Sequence, residues 1–189
     1  MAGPVVIALP RGGVPVAVEV AAMLGAPLGV LAVRKLGVPG HSELAFGAVA
    51  SGGIRVLDDE MLQRLPQLDA ATVEYVTARE QDELERRDAA YCSVRPRLDL
   101  GGHTVILVDD GIATGSTMWA AAAAVRSRAA QVLVASPVAS ARAVHLLGDV
   151  ADEVIVAFMP EQFSSVGAHY RDFSQLTDAE VVALLAGSP

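Results

Sequence analysis

The sequence predicts a doubly wound α/β fold, with a mostly parallel sheet flanked by helices. Three observations lead there. Short runs rich in Val, Ile and Leu, at residues 5–9, 28–33, 105–108, 132–135 and 154–157, are apolar almost without alternation, as strands covered on both faces should be. Helical stretches lie between them at 14–24, 116–128 and, more weakly, 141–147, and the first two start at Gly-containing turns. Strand, helix, strand at this spacing requires parallel pairing through crossover connections.

Composition bounds the rest. The 189 residues fit one domain, spanning 1–189, that can bury a core without metal or disulfide staples. With 52% hydrophobic but only 4% aromatic residues, that core must be built from Val, Ala and Leu. The single cysteine, Cys92, excludes an intrachain disulfide, suits a reducing cytosol and has no His-rich context that would make it a functional thiol. A net charge of −8 argues against nucleic acid or an anionic membrane as a partner. Mean hydropathy is +0.43, yet no apolar run approaches the roughly 18 residues of a membrane span. With no basic segment ahead of an apolar one at the N-terminus, a cytoplasmic protein is expected.

Two regions break the rhythm. Residues 45–57 predict a hairpin turning at Ser51-Gly52-Gly53, and residues 69–92 predict one long polar helix, so a hairpin and helical insertion spans about 45–92. The helix carries Asp82–Arg86 and Glu83–Arg87 at a spacing of four, and reads either as a solvated surface helix or as a flap or dimer element beside the site. Near the C-terminus, the tail from about 160 to 189 holds a closing helix at 177–185, with Thr177 as N-cap and Glu180 completing a capping box.

The stretch "VILVDDGIATGST", residues 105–117, is the informative one. Ligands of open parallel sheets bind beyond the carboxyl ends of the strands, and this run closes a strand there on Asp109-Asp110. Gly111, Ala113, Thr114, Gly115, Ser116 and Thr117 then lead into a helix N-terminus, where small residues, hydroxyls and the helix dipole favour a phosphate. Two adjacent carboxylates could grip vicinal hydroxyls or hold magnesium through water. A phosphate pocket beside a diol grip describes a ribose 5-phosphate site. A Walker A loop and a dinucleotide fingerprint are both excluded, because no Gly-Lys-Ser/Thr occurs and the first strand is followed by "LPRGGVPV".

These thirteen residues resemble the phosphoribosyl diphosphate (PRPP) motif of the type I phosphoribosyltransferases. The resemblance implies that Asp109 and Asp110 hold the ribose hydroxyls and that Ala113, Thr114, Gly115, Ser116 and Thr117 wrap the 5-phosphate. It further implies that Arg11, Gly12 and Gly13 of "LPRGG" meet the pyrophosphate, and that Arg34 and Lys35, after the second strand, reach it too. Glu43 could cap a turn or support Lys35. The implied activity is a Mg²⁺-dependent transfer of phosphoribosyl from PRPP to a nitrogenous small molecule, with pyrophosphate released. A non-catalytic PRPP or ribose 5-phosphate binding or regulatory module is the alternative. Family habit implies a homodimer.

The stretch 163–185 is similar to one subgroup of these proteins with no assigned acceptor, whose members usually carry a segment ahead of the first strand. Phe163, Val166, Tyr170 and Phe173 either stack a flat acceptor or pack the tail onto the core; His169 is open in the same way, and His41, His103 and His145 have no metal-ligand spacing. Where 6-oxopurine enzymes place an acid, this chain has Ala113.

Overall fold

The computed structural model describes residues 3–65 and 68–188, apart from the side chains of Ser42, Glu43 and Glu60, so the expectation for Glu43 lies outside what is described. In chain order the elements begin β1 (Val5–Ala8), α1 (Gly13–Leu24), β2 (Leu28–Val30), β3 (Val33–Val38), β4 (His41–Ala50), β5 (Ile54–Leu57), α2 (Asp59–Arg64) and α3 (Ala70–Cys92). They continue with β6 (Thr104–Val108), α4 (Ser116–Arg126), β7 (Gln131–Val138), α5 (Ala141–Leu147), β8 (Glu153–Phe158), a short 3-10 turn (Gly167–His169) and α6 (Asp178–Gly187).

Five strands form one all-parallel sheet in the order β2-β1-β6-β7-β8, the doubly wound arrangement expected. Alternation along β6 explains why helices cover both faces. Val105 and Leu107 pack with Ala121 and Val125 of α4, while Ile106 and Val108 pack on the other side with Val14 and Ala17 of α1 and Val181 of α6. In β1 and β6 the apolar runs carry no polar positions because neither face meets water, whereas the edge strand β8 is apolar but not covered on both faces: Ile155 and Phe158 are exposed.

A second, three-stranded antiparallel sheet, β3-β4-β5, corrects the expected boundary of the insertion. The run 28–33 is not one strand. It leaves the parallel sheet after Val30, and the Ser51 hydroxyl takes the Ala32 N–H at 2.9 Å, so the chain turns away and β3 starts at Val33. The β4–β5 connection does turn at Ser51-Gly52-Gly53, with positive φ at both glycines (+86° and +73°). Helix α2, which Asp58 caps, was not expected from the sequence.

Helix α3 is not merely a solvated surface helix. Val73, Val76, Thr77, Glu80, Leu84, Asp88 and Tyr91 are buried along one stripe, and Val73, Val76 and Leu84 close a third core with Leu36, Phe46 and Val49. Glu83 pairs with Arg87 at 2.9 Å as the spacing predicts, but Arg86 also turns to Glu83, at 3.0 Å. No helix among the described residues is long and apolar enough to cross a membrane.

Candidate active site

Strands β1 and β6 are hydrogen-bonded neighbours, so the two stretches singled out in the sequence emerge side by side. The Leu9 N–H donates to Val108 O at 2.9 Å, and the next peptide but one, Pro10–Arg11, is cis. Beyond it the backbone runs tight against the acids. A Cβ on Gly12 would overlap the Asp110 carboxylate, and one on Gly13 would come within 2.6 Å of Val108 O. Both glycines are therefore demanded by close approach, and the loop 9–13 and the pair Asp109-Asp110 form one surface.

The stretch after the acids forms a cup. The Ile112 N–H donates to Val138 O at 2.9 Å and the Ser140 hydroxyl to Ala113 O at 2.7 Å, which tie it to the end of β7. Gly115 takes φ +83° as the N-cap of α4. No side chain caps α4, whereas Asp58, Asp69, Ser140 and Thr177 cap α2, α3, α5 and α6. Like α1, which starts at Gly12 without a side-chain cap, α4 begins with first-turn N–H groups that no capping side chain takes up, apart from a long 3.5 Å contact from the Ser116 N–H to Thr114 Oγ1. They open on a cavity of about 180 Å³ lined by Asp109, Gly111, Ile112, Ala113, Thr114, Gly115, Thr117 and Met118. Thr114 and Ser116 pair through their hydroxyls at 3.0 Å at its rim.

The acids are electrostatically uncomfortable in the free protein. Burial, and next the charge of Asp110, push the Asp109 carboxyl well above its ordinary value; burial also raises Asp110. Hydroxyl donors or a cation at this spot would relieve that penalty. Among the described residues no group of three or more His, Cys, Asp or Glu is arranged to hold a metal ion. Two carboxylates beside this cup fit Mg²⁺ of the kind that keeps its waters and takes the rest of its shell from a phosphorylated ligand.

The cationic residues come from elsewhere. Arg34 and Lys35 do not sit at the carboxyl end of a parallel strand as the sequence suggested; both lie on β3 of the second sheet. They still reach the site. Arg34, Lys35 and Thr117 line one cavity of about 880 Å³, together with His41 of β4 and Tyr75, Arg79 and Glu80 of α3. Glu80 fixes this arrangement. It accepts from Arg34 Nε at 2.6 Å and from Arg79 at 2.7 Å. Burial pushes its carboxyl up, but the hydrogen bonds from Arg79 and Arg34 outweigh burial and hold it below its ordinary value. Arg11 and Arg34 meet across a smaller cavity that also touches α3.

Comparison with known proteins decides the family: the phosphoribosyl transferase domain matches residues 3–157. The chain is a phosphoribosyltransferase family member. It is 48% identical over 182 residues to "Putative phosphoribosyl transferase" proteins of two Mycobacterium tuberculosis strains, covering 96% of this chain. The chain spans 41% of the length of those relatives. The crystal structure of TT1426 from Thermus thermophilus superimposes with a TM-score of 0.89 at 46% identity, over 98% of this chain and 88% of that one. The AQ2163 protein of Aquifex aeolicus, 14% identical with a TM-score of 0.50 over 87% of this chain and 58% of its own, shares the fold.

The family match stops at residue 157, yet the chain beyond it returns to the site. The Tyr170 hydroxyl donates to Asp110 O at 2.5 Å, and burial followed by the two aspartates keeps that phenol protonated by raising its pKa. Val166 seats against Gly111, where a Cβ would overlap it. The aromatic residues fall into two groups. Tyr170 and Phe173, with centroids 5.2 Å apart, line a cavity of about 660 Å³ with Arg11, Gly12, Asp110 and Gln175. Phe163 instead packs beside His169, which also meets Phe158. Sequence reasoning missed Glu80 and the Tyr170–Asp110 bond, whose partners lie 46 and 60 residues away. A helical stripe through 73, 76, 80, 84 and 91 was the available signal for the first; nothing local signals the second.

Proposed function

We propose that this phosphoribosyltransferase family member binds PRPP and transfers its phosphoribosyl group to a nitrogenous small molecule, releasing pyrophosphate. The observation that carries this reading is the single surface made by the 9–13 loop, Asp109-Asp110 and the uncapped start of α4. Gly111, Ala113, Thr114, Gly115, Ser116 and Thr117 hold the 5-phosphate. Asp109 and Asp110 accept from the ribose hydroxyls. Arg11, Gly12 and Gly13, with Arg34 and Lys35, hold the diphosphate and offset the charge that grows on it as the bond to C1 breaks. Mg²⁺, held by the diphosphate and by Asp109 or Asp110 through water, supplies further charge neutralisation. The cavity beside Tyr170 and Phe173, which shares Arg11, Gly12 and Asp110 with this surface, receives the acceptor.

Ala113 limits the choice of acceptor. Its side chain neither donates nor accepts a proton, and its carbonyl is engaged by Ser140. A 6-oxopurine in the cavity beside Tyr170 whose N7 turned toward this loop would find no proton partner at Ala113, at a cost of about 1–3 kcal/mol. Hypoxanthine and guanine are therefore expected to be poor acceptors.

The test is incubation with PRPP, Mg²⁺ and a panel of nitrogenous bases, assaying released pyrophosphate. Release dependent on one base is the expected result. Calorimetric PRPP binding with no release for any base would reassign the chain to a non-catalytic PRPP module. Absence of PRPP binding would overturn the reading.

A further inference from the structure

Helix α3 places Leu84, Arg87 and Tyr91 along the wall of a cavity of about 240 Å³, whose other lining residues are Pro10, Arg11, Ala32, Val33, Arg34 and Gln175. Residues 84, 87 and 91 fall on one helix face, so this wall is set by α3 as a rigid element. Three guanidinium-bearing residues from three separate segments, Arg11, Arg34 and Arg87, converge there. No carboxylate belongs to the lining. The acids nearby are already engaged: Glu80 with Arg34 and Arg79, Glu83 with Arg86 and Arg87, and Asp178 with the Tyr91 hydroxyl. In a protein of net charge −8, an acid-lacking pocket with three arginines is selective for an anion.

Arg87 adds a second, independent sign. Its Nε is buried without a hydrogen-bond partner among the described residues, although its terminal nitrogen meets Glu83 at 2.9 Å. Buried guanidinium donors are normally matched, and since this Nε is covered even from water, a small turn of the Arg87 side chain would bring it to an oxyanion in the cavity that the same residue lines. Arg87 thus has one terminal nitrogen tethered and its Nε unspent.

We propose that Arg87 is a diphosphate-binding residue, holding with Arg11 and Arg34 the phosphate of PRPP farthest from the ribose, and free pyrophosphate after transfer. The inference rests on the proposed PRPP reading and assigns to α3 a share of that same site. It also assigns two levels to α3: Glu80 positions Arg34 from behind, and Arg87 meets the ligand.

The experiment compares wild type with Arg87→Gln and Arg87→Lys by calorimetry, using inorganic pyrophosphate, PRPP and ribose 5-phosphate, each with Mg²⁺. Arg87→Gln is expected to weaken pyrophosphate and PRPP at least tenfold and leave ribose 5-phosphate within twofold. Arg87→Lys, which keeps the charge but lacks the planar fork, is expected to lose several-fold for the same two ligands, and carries the test alone if Arg87→Gln does not fold. Wild-type pyrophosphate affinity in the folded variants, or equal losses for all three ligands, overturns the role of Arg87 while leaving PRPP binding intact. Failure of the wild-type chain to bind PRPP and pyrophosphate overturns the role of Arg87 together with the reading beneath it.

Discussion

The two sheets supply the site with opposite kinds of chemistry. The carboxyl edge of the parallel sheet contributes backbone and acids: the 9–13 loop, Asp109, Asp110 and the open first turn of α4. The antiparallel sheet with α3 contributes long cationic side chains, Arg34 and Lys35 directly and Arg79 through Glu80. Groups fixed by the main chain can be placed against a ribose phosphate with little freedom to lose. Long cations lose rotamer entropy on ordering and need a device such as Glu80 to hold them. On the proposed function, recognition of the sugar phosphate is thus built into the fold, and recognition of the diphosphate is attached to it.

The largest expected effect separates the two halves by ligand. Asp109→Asn and Asp110→Asn should each weaken PRPP and ribose 5-phosphate alike, on the order of ten- to a hundredfold, since charge-assisted hydrogen bonds are worth about 1.5–3 kcal/mol each. Because burial raises the Asp109 pKa, its charge opposes folding at neutral pH, so Asp109→Asn should also raise the melting temperature. Removing Arg11 or Lys35 should instead spare ribose 5-phosphate and hurt PRPP and pyrophosphate. Equal losses for all three ligands would erase the division between the sheets.

A smaller effect tests the device that holds the cations. Glu80→Gln should cost about 1.5–3 kcal/mol of stability at pH 7, because two arginines lose a buried charged acceptor. The folded pKa of Glu80 lies below its ordinary 4.5, so its contribution is present above that value and is lost as pH falls through the folded pKa. Chemical denaturation of the two proteins should show a constant gap above about pH 5 that closes under more acid conditions. A gap unchanged at low pH would mean that packing, and not charge, accounts for the loss.

The smallest effect concerns the C-terminal strap. Tyr170→Phe removes one hydrogen bond to Asp110 O and should cost about 0.5–1.5 kcal/mol. Its loss should fall on acceptor-dependent turnover more than on PRPP affinity, since Tyr170 lines the cavity beside the acids. A kcat/KM for the acceptor equal to wild type would show that the phenol only packs.

The same division governed what could be read from the sequence. The central parallel strands were legible because burial on both faces leaves unbroken apolar runs, the edge strand β8 because it is apolar even where Ile155 and Phe158 are exposed, and the acids of 109–110 because strand, turn and helix start are consecutive. The split between β2 and β3 was hidden, because Leu31 and Ala32 are as apolar as the strands they separate and the turn depends on Ser51, 19 residues away. The buried face of α3 was hidden because Glu80 and Asp88 are charged residues inside its stripe; each is neutralised by an arginine of another segment or turn, Arg34 for the first and Arg97 for the second. Charge reads as surface until its partner is known.

The Tyr91–Asp178 hydrogen bond, at 2.7 Å, spans 87 residues, and Tyr170 reaches back 60 to Asp110. On the ribosome, the chain emerges from its N-terminus, so the loop 9–13, the acid pair and α3 are all exposed before either tie can form. The two ties close long loops and come late on entropic grounds as well. Competence to bind should therefore arrive in two stages during synthesis, with the sugar-phosphate surface available first and the pocket beside Tyr170 completed only once the segment through Asp178 has left the exit tunnel.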